Sequence, residues 1–323
     1  MQRRQFLETT GVALTLSAAP RSQAQQPSVP KTYTYKSAGG CDIKADVYGA
    51  DESGRKPVLL WIHGGALILG SRRSISRRFQ EGLLKLGYIV VSIDYRLAPE
   101  TKLPAIIEDV RDAYRWTRET GAKLFGADPE RLAVAGGSAG GYLTLMTGFS
   151  VNPRPRALVS FWGYGDITSE WYSRPDAFYS RQPAVPREEA YSVVGTTALS
   201  EPPDKNQRGR FYLYCRQHGI WPKEVAGHDP DAEPGWFDRY CPVRNVTAEY
   251  PPTMLIHGTV DTDVPYEESR KMAGKLAPAG VEHQLITVTG AGHGLAGAKP
   301  EEAAQASDRA VEFVRAHTGS GLR

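Results

Sequence analysis

Residues 131–142 read RLAVAGGSAGGY, and this stretch decides the fold. An apolar strand pattern runs straight into a glycine-rich stretch, and a helical pattern begins at Ala139. Gly136 and Gly140 lie two positions before and two positions after Ser138, which permits a sharp turn where side chains would otherwise collide. Such a turn lifts the serine hydroxyl clear of a sheet and directs free helix N–H groups toward it. No lysine follows the glycines, which disfavours a phosphate-binding loop.

The chain on both sides of this turn alternates between strand and helix patterns. Short apolar runs, typical of strands buried on both faces, occupy residues 57–62, 88–93, 131–135, 157–162, 252–256 and 283–288. Residues 32–36 and 42–48 predict a hairpin, and helix-period stretches occupy residues 75–86, 104–120, 139–149, 265–277 and 300–317. The alternation predicts an α/β fold with a mostly parallel, doubly wound sheet over residues 32–323.

Residues 163–250 interrupt the alternation. This segment has no clear period, and it is rich in proline and in aromatic residues. An unstructured loop of that length is improbable in a compact domain. We therefore predict an inserted lid of short helices over residues 163–250, at the carboxyl ends of the strands, where sites form in such sheets.

The composition excludes several classes of protein. The 323 residues are 41% hydrophobic and 23% charged, as in an ordinary globular protein. The formal net charge is +3, and much of it comes from Arg3, Arg4 and Arg21 near the start of the chain. The remainder is nearly neutral, so we expect neither a nucleic-acid partner nor attachment to an anionic membrane.

The first 24 residues have the pattern of an export signal. Arg3 and Arg4 come first, a weakly apolar run follows at 11–19, and residues 22–24 offer a small-x-small cleavage site. The paired arginines resemble a twin-arginine signal, which implies a bacterial periplasmic or extracellular protein. The alternative is an uncleaved amphipathic helix. The apolar run is about half as long as a membrane span requires.

Export would permit a disulfide bond. Cys215 and Cys241 lie in the same irregular segment and are the plausible pair, with Cys41 left over. Three free thiols are an equally good interpretation of the sequence.

Partners for Ser138 follow the last two predicted strands. Asp261 comes after the first of them and His293 after the second. A neutral serine needs an adjacent base to become a nucleophile, and the base needs a carboxylate to orient it. Each of the three residues lies just past a different strand, so we predict that they converge. Asp261 is preferred as the acid because it is nearer the strand end; Asp263 is the alternative acid, and in the preferred interpretation it orients the loop.

A glycine-containing loop, residues 63–66 (HGGA), follows the strand at 57–62. Main-chain N–H groups can stabilise a negatively charged oxygen in a transition state without reorganisation. We predict that the N–H groups of Gly65, Ala66 and Ala139 form such an oxyanion hole. His63 is expected to brace this loop and not to act as a base.

The lid supplies candidate residues for a substrate pocket. Trp171, Trp221 and Trp236 could line an apolar pocket, or they could simply pack the lid onto the core. The lid histidines, His218 and His228, match no known metal-ligand spacing, so no metal site is predicted.

Six motifs together resemble the α/β-hydrolase superfamily: HGGA (63–66), SIDYRLAPE (92–100), LPAIIEDVRDAYRW (103–116), GGSAGG (136–141), HGTVDTDVP (257–265) and GAGHG (290–294). They look most like the esterase/lipase branch related to hormone-sensitive lipase, with features of dienelactone hydrolases and prolyl oligopeptidases. The resemblance covers residues 57–162 and 252–296 and hardly touches the lid. Ala66 stands where many relatives have glycine.

The resemblance implies a cofactor-free serine hydrolase that cleaves small carboxylic esters through an acyl-enzyme. HGTVDTDVP suggests one alternative, a peptidase or amidase of the prolyl-oligopeptidase kind. A catalytically inactive hydrolase fold that serves as a binding module is a second alternative.

Overall fold

The computed structural model of the chain describes residues 29–50, 54–202 and 204–319. The predicted export signal, residues 1–24, lies outside these ranges. Within them, no helix has the combined length and apolarity that a membrane span requires.

In the described residues, eight strands form one sheet: β1 (Lys31–Ala38), β2 (Cys41–Tyr48), β3 (Lys56–Ile62), β4 (Ile89–Ile93), β5 (Ala127–Gly137), β6 (Leu158–Phe161), β7 (Thr253–Gly258) and β8 (His283–Val288). Their order is β1-β2-β4-β3-β5-β6-β7-β8. β2 pairs antiparallel with β1 and β4, and all other pairs are parallel. The predicted mostly parallel sheet is confirmed, with the predicted hairpin at its edge.

The helices of the described chain are α1 (Arg77–Lys85), α2 (Leu103–Glu119), α3 (Gly121–Leu124), α4 (Ala139–Ser150), α5 (Glu170–Ser173), α6 (Arg187–Tyr191), α7 (Lys205–His218), α8 (Trp221–Ala226), α9 (Tyr266–Leu276) and α10 (Pro300–Thr318). Short 3-10 helices occur at Tyr179–Arg181, Pro234–Tyr240, Pro242–Arg244 and His293–Leu295. The predicted bounds agree within about two residues, except that β5 begins four residues earlier than expected.

Helices cover both faces of the sheet. Val58 and Leu60 of β3 belong to the core on one face, whereas Leu59 and Trp61 belong to the core on the other. The first core includes α2, α4, α9 and the lid, and the second includes α1 and α10. Because both faces of the central strands are buried, their sequences are continuous apolar runs rather than alternating ones.

Residues 163–250 connect β6 to β7 and contain α5 to α8. The longest of these helices, α7, begins at a cap: the Asp204 carboxylate accepts the N–H groups of Asn206 and Gln207. It ends at Gly219, whose φ of 65° is favourable for glycine.

The structure does not contain the disulfide bond between Cys215 and Cys241. Both residues are buried free thiols. The Cys241 thiol donates to Oδ1 of Asp166, whereas Cys215 lies in the core on α7 among different neighbours. Burial raises the pKa of the Cys241 thiol to about 12, which makes it unreactive at neutral pH.

A buried ion pair ties the lid to the loop after β4. Arg208 of α7 donates to both carboxylate oxygens of Glu100, at 2.7 and 2.8 Å. The same guanidinium donates to the carbonyl oxygens of Ile68, Ala98 and Val193. The two side chains are 2% and 0% exposed. Each charge therefore depends on the other for compensation.

The turn between β5 and α4 is packed against the end of β3. A Cβ on Gly136 or Gly140 would overlap the carbonyl oxygen of Ile62, and a Cβ on Gly140 would also lie 2.6 Å from that of His63. The obstacle is backbone in each case, so it cannot move aside as a flexible side chain would. The two glycines flanking Ser138 are therefore required by the close approach of the turn and the start of α4 to the end of β3.

We expect Arg208→Ala to lower the free energy of unfolding by about 3–5 kcal/mol, because it leaves the Glu100 carboxylate buried without its counter-charge. Denaturant unfolding followed by circular dichroism measures this change. Arg210→Ala on the same helix is the matched control, since Arg210 pairs with Glu189 at the surface and its loss should hardly move the midpoint. Equal destabilisation by both variants would contradict an anchoring role for the buried pair.

We expect Gly140→Ala to lower the free energy of unfolding by about 1–3 kcal/mol or more, because the new methyl group overlaps main-chain atoms. Gly209→Ala is the control: a Cβ at Gly209 meets nothing within 4 Å in α7. That variant should gain about 0.5–1 kcal/mol from the higher helix propensity of alanine. Thermal unfolding of both variants beside the parent tests the pair, and a Gly140→Ala protein as stable as the parent would refute the packing argument.

Candidate active site

Ser138 stands at the turn between β5 and α4 with φ 56° and ψ −121°, a conformation that residues other than glycine rarely adopt. Its N–H donates to the carbonyl of Phe161 (2.9 Å), and its own carbonyl accepts from the N–H of Tyr142 (3.0 Å). Gly64 packs so closely that a Cβ on it would lie 3.1 Å from Cβ of Ser138. The serine is therefore held at the carboxyl edge of the sheet, beside the loop that follows β3.

Asp261 and His293 meet at the same edge. Nδ1 of His293 donates to Oδ2 of Asp261 at 2.8 Å. Oδ1 of Asp261 accepts the N–H groups of Asp263 (2.9 Å) and Val264 (3.0 Å), which fixes the loop after β7. Nε2 of His257 lies 3.2 Å from Oδ2. Burial raises the pKa of Asp261, but the hydrogen bonds from His257 and His293 outweigh it and hold the pKa well below its usual value.

The other ring nitrogen of His293 faces a second carboxylate. Nε2 lies 3.4 Å from Oδ2 of Asp263. Ser138 lines the same cavity as His293, but within the described chain its hydroxyl makes no hydrogen bond to the ring. Burial lowers the pKa of His293, yet the hydrogen bond to Asp261 and the negative charges of Asp263 and Asp261 raise the pKa above its ordinary value of 6.5.

The predicted oxyanion donors flank Ser138. Gly65 and Ala66 both have positive φ, 111° and 55°, and neither N–H donates a hydrogen bond within the described residues. The N–H of Ala139 opens α4 and so has no acceptor inside the helix. The indole N–H of Trp221 donates to the carbonyl of Ala66 (2.9 Å) and fixes the orientation of that peptide.

His63 stabilises the loop at residues 63–66 and is not among the residues that line the cavity beside Ser138. Its ring is buried and stacks on Tyr95 with 4.2 Å between centroids. Nδ1 lies 2.7 Å from the carbonyl oxygen of Gly64, and the Tyr95 hydroxyl donates to the carbonyl of His63. This is the bracing position that the sequence predicts.

A cavity of about 630 Å³ opens beside Ser138. Its lining combines apolar and polar side chains, namely Trp61, Leu69, Ile75 and Trp162 with Ser74, Ser76, Tyr212, Asp263 and His293. The apolar part is formed by the core strands and the loop after β3 rather than by lid tryptophans. Trp162 directly follows β6, so its position at a strand end is the sequence signal that could have identified it.

The three lid tryptophans, for which the sequence leaves pocket lining and lid packing open, are not among the residues that line this cavity. Trp221 is buried behind the loop that carries Ala66. Trp236 stacks on His228 with 4.0 Å between ring centroids. Trp171 lines a separate, smaller cavity of about 420 Å³ beside α9. Aromatic side chains in a segment without periodicity can pack in either direction: Trp221 is fully buried, whereas Trp171 and Trp236 are only partly buried.

Within the described ranges, no group of three or more histidine, cysteine, aspartate or glutamate side chains has an arrangement that could hold a metal ion. His228 instead contacts Glu233 (2.9 Å), and His218 contacts the carbonyl of Tyr214 (3.1 Å).

Known sequences resemble this chain over most of its length. Esterase LipC of Mycobacterium tuberculosis is 31% identical over 243 residues, which is 74% of this chain and 53% of LipC. The non-reducing polyketide synthase adrD of Penicillium rubens is 28% identical over 373 residues, 96% of this chain but 15% of that protein. The chain thus spans only a small part of the polyketide synthases that it matches and about half of LipC.

Solved structures share the fold. A Staphylococcus aureus protein of unknown function superposes with a TM-score of 0.73 at 21% identity, covering 89% of this chain and 99% of that one. An α/β-hydrolase superfamily protein from Enterococcus faecalis gives 0.70 at 22% identity, over 90% and 100% of the two chains. Esterase 2 of Thermogutta terrifontis gives 0.61 at 22% identity, over 91% and 95%.

The BD-FAE family model matches residues 45–276, which is more than half of the chain and runs from the second half of β2 to the end of α9. With the eight-stranded sheet and the turn at Ser138, this match establishes that the chain belongs to the BD-FAE family of α/β-hydrolase esterases.

Proposed function

We propose that this protein is a serine carboxylesterase that acts on small-molecule esters. The observation that carries the proposal is the 2.8 Å contact between His293 Nδ1 and Asp261 Oδ2 at the rim of the cavity that Ser138 lines. A hydroxyl, an imidazole and a carboxylate in this order are the parts that nucleophilic acyl transfer requires.

In the proposed reaction, the Ser138 hydroxyl oxygen attacks the ester carbonyl carbon while Nε2 of His293 takes its proton. The tetrahedral intermediate collapses when the carbon–oxygen bond to the alcohol breaks, and His293 returns the proton to the leaving alcohol. Water then attacks the acyl-enzyme with the same base, which releases the acid and restores the serine. Asp261 holds Nδ1 and stabilises the imidazolium.

The negative oxygen of the intermediate is assigned to the N–H groups of Gly65, Ala66 and Ala139. Two features support this assignment: these groups lack acceptors within the described chain, and the peptide that carries the Ala66 N–H is fixed because its Gly65 carbonyl accepts the N–H groups of Ile68 and Leu69, both at 2.9 Å. Donors held in place before the reaction stabilise developing charge at no reorganisation cost, and each is typically worth about 2.7–4 kcal/mol of the barrier.

For the proposed proton transfer, Nε2 of His293 must come into contact with the Ser138 hydroxyl. Because Nε2 faces Asp263 in this structure, the imidazole has to shift toward Ser138 when substrate binds. Catalytic hydrogen bonds that are long in a free enzyme commonly tighten in the substrate complex.

We expect Ser138→Ala to reduce the hydrolysis of p-nitrophenyl acetate by at least about 10³-fold, because it removes the nucleophile. Initial rates measured beside the parent enzyme give the ratio. Ser74→Ala is the control, since Ser74 is a serine of the same cavity to which the proposed reaction assigns no step. A Ser138→Ala rate close to that of the parent would end the proposal.

A fluorophosphonate probe separates an enzyme from an inactive binding module. The parent should be labelled and Ser138→Ala should not, because the probe reacts with an activated serine.

A panel of p-nitroanilide substrates, measured beside the p-nitrophenyl esters, tests the peptidase alternative. We expect turnover of the esters only, and faster turnover of the anilides would favour that alternative.

We expect kcat/KM to fall as the pH drops through the pKa of His293, because only the neutral imidazole accepts the serine proton. Since that pKa is raised, the midpoint of the acid limb should lie above 6.5. A pH–rate profile in buffers of constant ionic strength measures the midpoint, with circular dichroism at each pH as the check on folding. A rate that is constant from pH 8 to pH 5 would contradict the role of His293.

A further inference from the structure

The lid places a buried cation, Arg216, next to the loop after β7 that carries Asp261 and Asp263. The Arg216 side chain on α7 is 1% exposed. Its Nη1 donates to Oδ1 (2.8 Å) and to the carbonyl oxygen (3.0 Å) of Asp263, and Nη2 donates to Oδ2 of Asp176 (2.8 Å). Four aromatic rings surround the guanidinium at 4.6–5.7 Å, those of Trp171, Tyr172, Tyr179 and Tyr212. Asp263 is therefore held by a rigid, enclosed partner.

The two oxygens of Asp263 have different environments. Oδ1 accepts hydrogen bonds from the hydroxyls of Tyr179 (2.9 Å) and Tyr212 (2.5 Å) and from Arg216. Oδ2 faces Nε2 of His293 at 3.4 Å. Because Oδ1 is already bound from the lid side, the carboxylate cannot turn Oδ2 away from the imidazole without breaking those contacts.

The imidazole of His293 thus lies between two carboxylates, Asp261 at Nδ1 and Asp263 at Nε2. The protonated ring has an N–H for each of them. The neutral ring with its proton on Nδ1 directs the Nε2 lone pair at Asp263, which is repulsive. The positive charge of Arg216 opposes this effect from α7, and Tyr212 and Ser138 are uncharged groups in the same cavity.

We propose that Asp263 is a positioning residue through which the lid holds His293 in its protonated, resting orientation and sets the pH at which the ring becomes available to Ser138. This inference rests on the proposed function only where it names Ser138 as the group that is activated. The imidazolium is bound on both sides and has no lone pair for the serine. Loss of the Nε2 proton to solvent removes the attraction to Asp263 and releases the ring toward the nucleophile.

Asp263→Asn tests the proposal, because the amide keeps an oxygen for Tyr179, Tyr212 and Arg216 but removes the negative charge beside Nε2. The His293 ring is titrated by NMR on histidine-labelled protein. We expect its midpoint to move to lower pH by at least about half a unit, the size expected of a single charge at this distance even when solvent screens it strongly. The acid limb of kcat/KM should move in the same direction by a similar amount.

Asp176→Asn is the matched control. It removes a carboxylate from the other end of the same guanidinium, and Asp176 makes no contact with His293 among the described residues. If Asp263 acted only by stabilising the lid, both variants would change the titration equally. We expect Asp176→Asn to leave the His293 midpoint within about 0.2 units of the parent.

Two results would overturn the proposal: an unshifted His293 midpoint in Asp263→Asn, or a parent midpoint at or below that of an unstructured histidine peptide. The second result needs no variant. Asp263→Ser, checked by circular dichroism, replaces Asp263→Asn if the asparagine protein does not fold. The NMR titration measures the protonation of His293 and does not require catalysis. If the parent had no esterase activity but Asp263→Asn still shifted the His293 midpoint, the result would support this inference and refute the proposed function.

Discussion

The turn at Ser138 is the constraint on which the arrangement of the site depends. Its positive φ is sustained only because Gly136 and Gly140 let α4 approach the end of β3. That approach brings the loop with Gly64 against the serine, and it directs the first N–H group of α4 to the same place. The positions of the candidate nucleophile and of the candidate oxyanion donors thus depend on one backbone contact. The other polar groups join them because parallel strands end at a common edge.

The lid contacts the loops at this edge of the sheet through α7 and the residues that follow it. Arg208 of α7 is bound to Glu100 in the loop after β4, and Arg216, two turns later, is bound to Asp263 in the loop after β7. Trp221, just beyond the helix, holds the carbonyl of Ala66. Three separate loops, of which those after β3 and β7 line the cavity, therefore take their orientation from a short stretch of the lid. This accounts for buried charge in a segment that the sequence presents as irregular.

Much of the fold and part of the site could be predicted from local patterns. The strand and helix bounds follow from apolar runs whose length and composition need no knowledge of distant residues. The preference for Asp261 over Asp263 as partner of Nδ1 followed from its position nearer the strand end, and Asp261 is the residue in contact with Nδ1. What the pattern could not provide was the contact of Asp263 with Nε2, since it depends on Arg216 and two tyrosines far away in the chain.

The sequence by itself determined the α/β sheet, the turn at Ser138 and the order of the residues that meet there, because each of these depends on neighbours within a few positions. Long-range packing fixes which aromatic residues line the cavity, which neighbours keep Cys215 and Cys241 apart, and what surrounds His293. The physical reason is that the lid has no periodicity to direct its side chains. Their directions follow from partners in the core, and those partners are set only when the chain is folded.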